Sequence, residues 1–316
     1  MAKGSIITHY ELRIIMKGVE CMKNTIFTGA AIAIITPMNE DGSINFSVLG
    51  EMIDDQIANG TDAVVICGTT GEASTMSDEE HLECIRFAVE KTAKRVPVIA
   101  GTGSNDTSYA IKLSKEAEEL GADGLLLVTP YYNKTTQKGL IAHFTAIADA
   151  VNIPIILYNI PGRTGMNMEV STIKELANHK NIVAVKEASG NISYAAKLIA
   201  ECGDDIDVYS GNDDMIVPLM SLGAKGVISV LSHVIPKQTH DMVQYCLDNN
   251  YAEATKLQID YLDLINNLFI EVNPIPVKEA MNMMGVNVGK CRLPLVDMTD
   301  EHKAALRASL EKHNLI

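Results

Sequence analysis

The sequence predicts a (β/α)8 TIM barrel with additional C-terminal helices. Three observations predict it: a unit recurring about every 30 residues, apolar runs that do not alternate, and amphipathic segments between those runs. Each unit reads as a short β-branched run, then a polar or glycine-containing loop, then a helix. The eight runs are residues 31–35, 63–67, 98–101, 124–128, 155–158, 183–186, 207–209 and 226–230. Stretches such as Leu125-Leu126-Leu127-Val128 have no polar face, as expected of parallel strands covered on both sides. The first helix carries Phe46, Leu49, Met52, Ile53 and Ile57 on one face and stops at Gly60. The second opens on Ser77-Asp-Glu-Glu80, a capping box in which hydroxyl and carboxylate each satisfy the other's free backbone N–H, and extends to about Ala93. Strand and helix alternating in this way mean βαβ units, and eight of them favour a closed barrel over an open sheet.

Two segments lie outside that pattern. Residues 1–21 lack turn chemistry and lead into a second methionine, Met22, so they read as a leader or added extension outside the fold. The catalytic barrel is expected over 22–234. Residues 235–316 show no further strand, and Leu257, Ile259, Leu262, Leu264, Ile265 and Leu268 predict helices packed on the barrel. A length of 316 residues suits one such domain.

Composition excludes several functions. With 47% hydrophobic and 21% charged residues, the chain can fill a large core, which argues against disorder. A net charge of -14 argues against nucleic-acid binding, which needs clustered lysine and arginine to displace counterions. No apolar run nears the roughly 20 residues that span a bilayer, so no membrane partner is expected. Six cysteines without CxxC spacing read as reduced thiols, consistent with a cytoplasmic protein. No histidine pattern or acidic cluster has ligand spacing, so neither metal nor cofactor is expected. Gly211-Asn-Asp-Asp214, the nearest approach to an acidic cluster, reads as helix capping, and Gly101-Thr-Gly-Ser-Asn105 as a plain loop.

Catalytic groups of a barrel sit where strands end, and four such places stand out: Gly68-Thr-Thr-Gly-Glu72 after the second run, Pro130-Tyr-Tyr-Asn133 after the fourth, the stretch from Tyr158 to Gly165 after the fifth, and Lys186 closing the sixth. Lys186 closes the sixth run, where desolvation favours a neutral, nucleophilic amine. A pair with Glu187 is the alternative, and the residue types alone leave the two open. Tyr158, ending the adjacent fifth run, offers a phenol for proton transfer. Thr69 and Thr70, between glycines in Gly68-Thr-Thr-Gly-Glu72, can hold a carboxylate with hydroxyls and backbone N–H groups, although a lone glycine-bounded turn is the simpler reading. Arg163, in a stiff Pro-Gly-Arg-Thr-Gly turn, suits bidentate recognition of a second carboxylate, against the alternative of a surface arginine.

Taken in order, GTTGE, TPYYNK, YNIPGRTG, VAVKEASGN, YSGNDD and GVISV resemble the motif set of the dihydrodipicolinate synthase family of pyruvate-dependent class I aldolases, from about Gly29 to beyond Pro294. Asn273-Pro-Ile-Pro-Val-Lys278 is similar to the family's C-terminal region. The resemblance implies condensation of pyruvate with L-aspartate 4-semialdehyde in lysine and diaminopimelate biosynthesis. It implies Lys186 as the imine-forming amine and Tyr158 as proton carrier, linked through Thr69 to Tyr132 reaching in from a neighbouring subunit. It further implies Thr70 on the pyruvate carboxylate, Arg163 on the semialdehyde carboxylate, Gly211 and Ile228 lining the pocket, and a homotetramer. Sugar-acid aldolases such as N-acetylneuraminate lyase share the lysine and tyrosine; Arg163 favours the amino-acid enzyme. A catalytically silent barrel would be expected to lose one of the two.

The resemblance also implies a lysine effector site at Ala73, Ser74, Asp78, His81, Asn105, Tyr109 and Tyr131. There the sequence departs from the family, with Asp78 in place of a histidine and Tyr109 in place of a glutamate. Loss of that glutamate predicts weak or absent inhibition by lysine.

Overall fold

The computed structural model describes residues 25–316, so the reading of residues 1–21 lies outside the described residues. Eight parallel strands pair in sequence order and close on themselves. They are β1 (Gly29–Ala33), β2 (Ala63–Ile66), β3 (Val98–Gly101), β4 (Gly124–Val128), β5 (Ile155–Asn159), β6 (Ile182–Glu187), β7 (Asp207–Ser210) and β8 (Gly226–Ser229). All eight expected runs are strands. The largest displacement is in β1, which ends at Ala33; beyond it the Ile35 N–H leaves the ladder and donates to His233 Nε2 at 2.9 Å.

Both faces of the strands are buried, which accounts for the absence of alternation. Ala31, Ala33, Val65, Ile99, Leu126, Ile156 and Ala184 fill the barrel interior, while Ile32, Val64, Leu125, Leu127, Leu157 and Val185 pack outward under the helices. Phe27 and Tyr209 close the interior near the start of β1: their rings stack at 4.3 Å and 9°, and the Tyr209 hydroxyl donates to the Phe27 carbonyl. Among the described residues, the interior is therefore filled from below, and a cavity opens above.

The outer helices begin as their caps dictate. The Asn45 side chain accepts from Val48 N at the head of α1 (Phe46–Ala58), and the Ser77–Glu80 capping box opens α2 (Asp78–Thr92). Asp106 caps α3 (Thr107–Glu119), Thr136 caps α4 (Gln137–Asp149), and a single turn, α5 (Pro161–Thr164), precedes α6 (Val170–Leu176). Asn191 caps α7 (Ile192–Cys202), and α8 (Ile216–Ser221) follows β7. After β8 come α9 (Pro236–Leu247), α10 (Tyr251–Asp260), α11 (Leu262–Asn267), α12 (Ile275–Met283) and α13 (Asp300–Lys312). Because α9 packs on β1 and β8, the barrel's own last helix falls within the segment assigned from sequence to the extension. The remaining helices are additional, and the loop ahead of α12 reaches back over the open end of the barrel to line the cavity there.

Candidate active site

That open end holds a cavity of about 160 Å³. Alternation along β6 decides which side chain enters it: Ala184 and Lys186 face inward, Val185 and Glu187 outward. Lys186 and Glu187 therefore do not pair. Glu187 is taken up behind the strand, where its carboxylate accepts from Ser189 N at 2.7 Å and Asn159 Nδ2 at 2.8 Å. Lys186 itself is 5% exposed. Burial lowers its amine from the usual 10.5 to about 8; the Asp213 carboxylate opposes that shift and the Arg163 guanidinium reinforces it.

Tyr158 stands opposite Lys186 in the β5–β6 register, so the two side chains enter the cavity side by side. The lysine Nζ lies 4.4 Å from the centre of the phenol ring. Burial pushes the phenol up to about 12, tempered by the Arg163 charge and by a hydrogen bond with Thr69. Tyr158 is thus a neutral hydroxyl at ordinary pH, fit to give a proton to a departing oxygen.

Glycine makes room for the amine. A Cβ on Gly211 would lie 2.6 Å from the Ala188 Cβ and 3.1 Å from Lys186 Cε, while its N–H donates to the Glu187 carbonyl at 2.7 Å. Only a residue without a side chain lets β7 run this close to Lys186.

The loop carrying Thr69 and Thr70 is fixed from beneath. Glu72 takes the left-handed conformation, φ 57°, and is buried against Lys278 at 2.5 Å while accepting from Arg292 N at 2.8 Å. The Thr36 hydroxyl donates to the Gly71 carbonyl at 2.7 Å. Above that base, buried Thr70 accepts at its hydroxyl from Asn273 Nδ2 at 2.9 Å, and exposed Thr69 reaches Tyr158. Arg163 lines the far side and donates to the Asn273 carbonyl at 3.3 Å.

The cavity therefore gathers Lys186, Tyr158, Thr69, Thr70, Arg163 and Gly211. Ile228 is packed in the barrel interior, and Val230, two residues on, lines the cavity instead. Tyr132 does not line it; this side chain is 90% exposed on the β4–α4 loop with φ 68°.

Of the residues expected at an effector site, two pairs are in contact. Tyr109 donates to Asp78 at 2.8 Å and Lys112 to the same carboxylate at 3.0 Å, contacts that hold the Asp78 acid below its usual range. Asn105 donates to the Tyr131 carbonyl at 3.3 Å. His81 is buried against the Gly101 carbonyl, while Ala73 and Ser74 begin a short turn beside Glu72.

Two site residues carried no role in the sequence reading. Asn273 sat inside a recognised motif, yet nothing in a linear sequence places it between Thr70 and Arg163. Asp213 was read as a helix cap, and the structure corrects this. No side chain caps its own turn, and the carboxylate instead accepts from Val230 N at 3.0 Å and Leu231 N at 2.9 Å, bracing the end of β8. It is fully buried, and burial raises its pKa against the pull of those donors and of Lys186.

Comparison with known proteins follows this geometry. The family model described as the dihydrodipicolinate synthetase family matches residues 26–313. A 4-hydroxy-tetrahydrodipicolinate synthase from Acetivibrio thermocellus is 59% identical over 93% of this chain and all of its own length. A crystal structure of dihydrodipicolinate synthase from Aquifex aeolicus superposes with a TM-score of 0.89 at 45% identity, covering 92% of this chain and 99% of the other. The chloride-inhibited enzyme of the same kind from Acinetobacter baumannii, complexed with pyruvate, gives 0.90 at 43% identity, with 92% and 100% covered.

Proposed function

The chain belongs to the dihydrodipicolinate synthetase family, and from that premise we propose a residue-level account of how it condenses pyruvate with L-aspartate 4-semialdehyde to 4-hydroxy-tetrahydrodipicolinate. The relatives described above carry that activity in their names, and the sugar-acid alternative drops out. The observation that carries the account is a buried amine with no contacting carboxylate among the described residues, beside a buried phenol.

Thr70 and the adjoining backbone hold the pyruvate carboxylate, which places the ketone carbon against Lys186. The neutral amine adds to that carbon, and Tyr158 delivers the proton with which water leaves. The resulting iminium withdraws electrons from the adjacent methyl group, whose proton is lost to give an enamine. Arg163 holds the carboxylate of the semialdehyde, and the enamine carbon bonds to its aldehyde carbon while the new alkoxide takes a proton. The substrate amine then adds to the iminium carbon, closing the ring and expelling the Lys186 amine. One water has left in total.

Thr69 connects Tyr158 to solvent, and Tyr132, exposed on its loop, continues that relay when it enters the site of a neighbouring subunit. The enzyme works in the cytoplasm as a homotetramer. At the effector positions Asp78 is already taken up by Tyr109 and Lys112, so a lysine ammonium gains little there and inhibition is weak.

Borohydride reduction in the presence of pyruvate, followed by peptide mapping, tests the central assignment. A reduced pyruvyl adduct on Lys186 is expected. An adduct on another lysine, or none, overturns it.

A further inference from the structure

Among the described residues, the cavity is lined by two cationic side chains, Lys186 and Arg163, and by no carboxylate. The semialdehyde nevertheless brings an amino group on the carbon that bears its carboxylate. Once Arg163 holds that carboxylate, the amine is fixed within two bonds of it and must meet a neutral acceptor or lose a hydrogen bond on leaving water.

Asn273 stands at that point. Its main-chain carbonyl accepts from Arg163 Nη2 at 3.3 Å, and its Nδ2 donates to Thr70 Oγ1 at 2.9 Å, so it bridges the groups assigned to the two carboxylates. The residue is 6% exposed and lines the cavity, yet among the described residues its Oδ1 is buried without a hydrogen-bond partner. A buried amide oxygen left unpaired is costly, and here it belongs to a residue that lines the substrate cavity. Asn212, the other amide in the lining, is only half-buried.

We propose that Asn273 Oδ1 accepts a hydrogen bond from the amino group of the aldehyde substrate, making Asn273 a specificity-determining residue for α-amino aldehyde acids over the same acids without the amine. The inference rests on the function proposed above. A site built around one polar group rejects an analogue that leaves it unpaired, so Asn273 supplies the discrimination that Arg163, which reads only the carboxylate, does not.

The test uses the full-length enzyme and its near-isosteric variant Asn273→Leu, with 4-oxobutanoate, the semialdehyde lacking its amine, as a competitive inhibitor. In Asn273→Leu the kcat/KM for aspartate semialdehyde is expected to fall about 10- to 100-fold, while the inhibition constant of 4-oxobutanoate stays within about threefold. Asn273→Asp keeps an acceptor but loses the donor to Thr70. It should retain preference for the amino substrate with a raised KM for pyruvate, and it carries the test if the leucine variant does not fold. Equal losses for both compounds, no loss for either, or a collapsed preference in Asn273→Asp overturns the proposal. Borohydride trapping of pyruvate separates the two readings: a wild-type enzyme that is not trapped removes the underlying mechanism, whereas normal trapping with equal losses removes the Asn273 assignment alone.

Discussion

Replacing Lys186 by methionine should destroy the activity and make the protein more stable. The amine is held at about 8 where an unfolded lysine titrates near 10.5. At about 1.4 kcal/mol per tenfold in the proton equilibrium, that difference is a folding cost of about 3 kcal/mol. Its sign follows from proton uptake. Below pH 8 both states carry the charge and the cost is complete; between pH 8 and 10.5 the folded state has released its proton while the unfolded state has not, so the cost shrinks as pH rises. Methionine has similar length and no charge to bury. At fixed protein concentration, denaturant unfolding should therefore give Lys186→Met an advantage of about 3 kcal/mol at pH 7, falling to roughly half of that at pH 9.5. An advantage independent of pH would mean that methionine merely packs better. No advantage at pH 7 would mean that the folded amine titrates normally, and the case for a neutral nucleophile would fail.

Three further outcomes are expected. Gly211→Ala places a methyl group 2.6 Å from the Ala188 Cβ and 3.1 Å from Lys186 Cε; displacing the amine should cut kcat about 100-fold while circular dichroism still reports a folded barrel. Lys278→Met leaves Glu72 buried and unpaired, and should lower the unfolding free energy by about 3–5 kcal/mol, measured by denaturant titration. Steady-state assays in millimolar L-lysine should retain most of the activity; complete inhibition would show that the contacts of Asp78 with Tyr109 and Lys112 do not pre-empt the ligand.

The barrel was legible because its strands bury both faces. Runs such as those in β4 and β5 carry no polar residue to blur them, and glycine or a polar loop punctuates each unit. Lys186 and Tyr158 were legible because each ends an apolar run, where a polar side chain has to face the mouth of the barrel. Contacts between distant segments were not legible. Asn273 reaches Thr70 across 203 positions of chain, and no local pattern marks the pairing. Asp213 misled for a related reason: a glycine followed by asparagine and aspartate reads as a cap, and the donors it does serve belong to the strand end that follows. Ile228 was displaced by a subtler effect, since the cavity begins one side-chain layer above it and meets Val230.

Two buried lysines show why environment, more than burial, assigns the chemistry. Lys186 and Lys278 are 5% and 2% exposed, and both lie in recognisable motifs. Lys278 meets the Glu72 carboxylate at 2.5 Å and donates to the Lys290 carbonyl at 3.0 Å, so its charge is matched and its protons are engaged. Such an amine holds a loop in place. Lys186 has an aromatic face at 4.4 Å, a guanidinium that repels its charge, and an aspartate that favours the charge without forming an ion pair with it. Removing each charge should accordingly move stability in opposite directions. The same contrast explains the division of labour around the cavity: the paired lysine fixes the threonine loop against which pyruvate is positioned, and the unpaired one, for which that rigidity aligns the ketone, performs the attack.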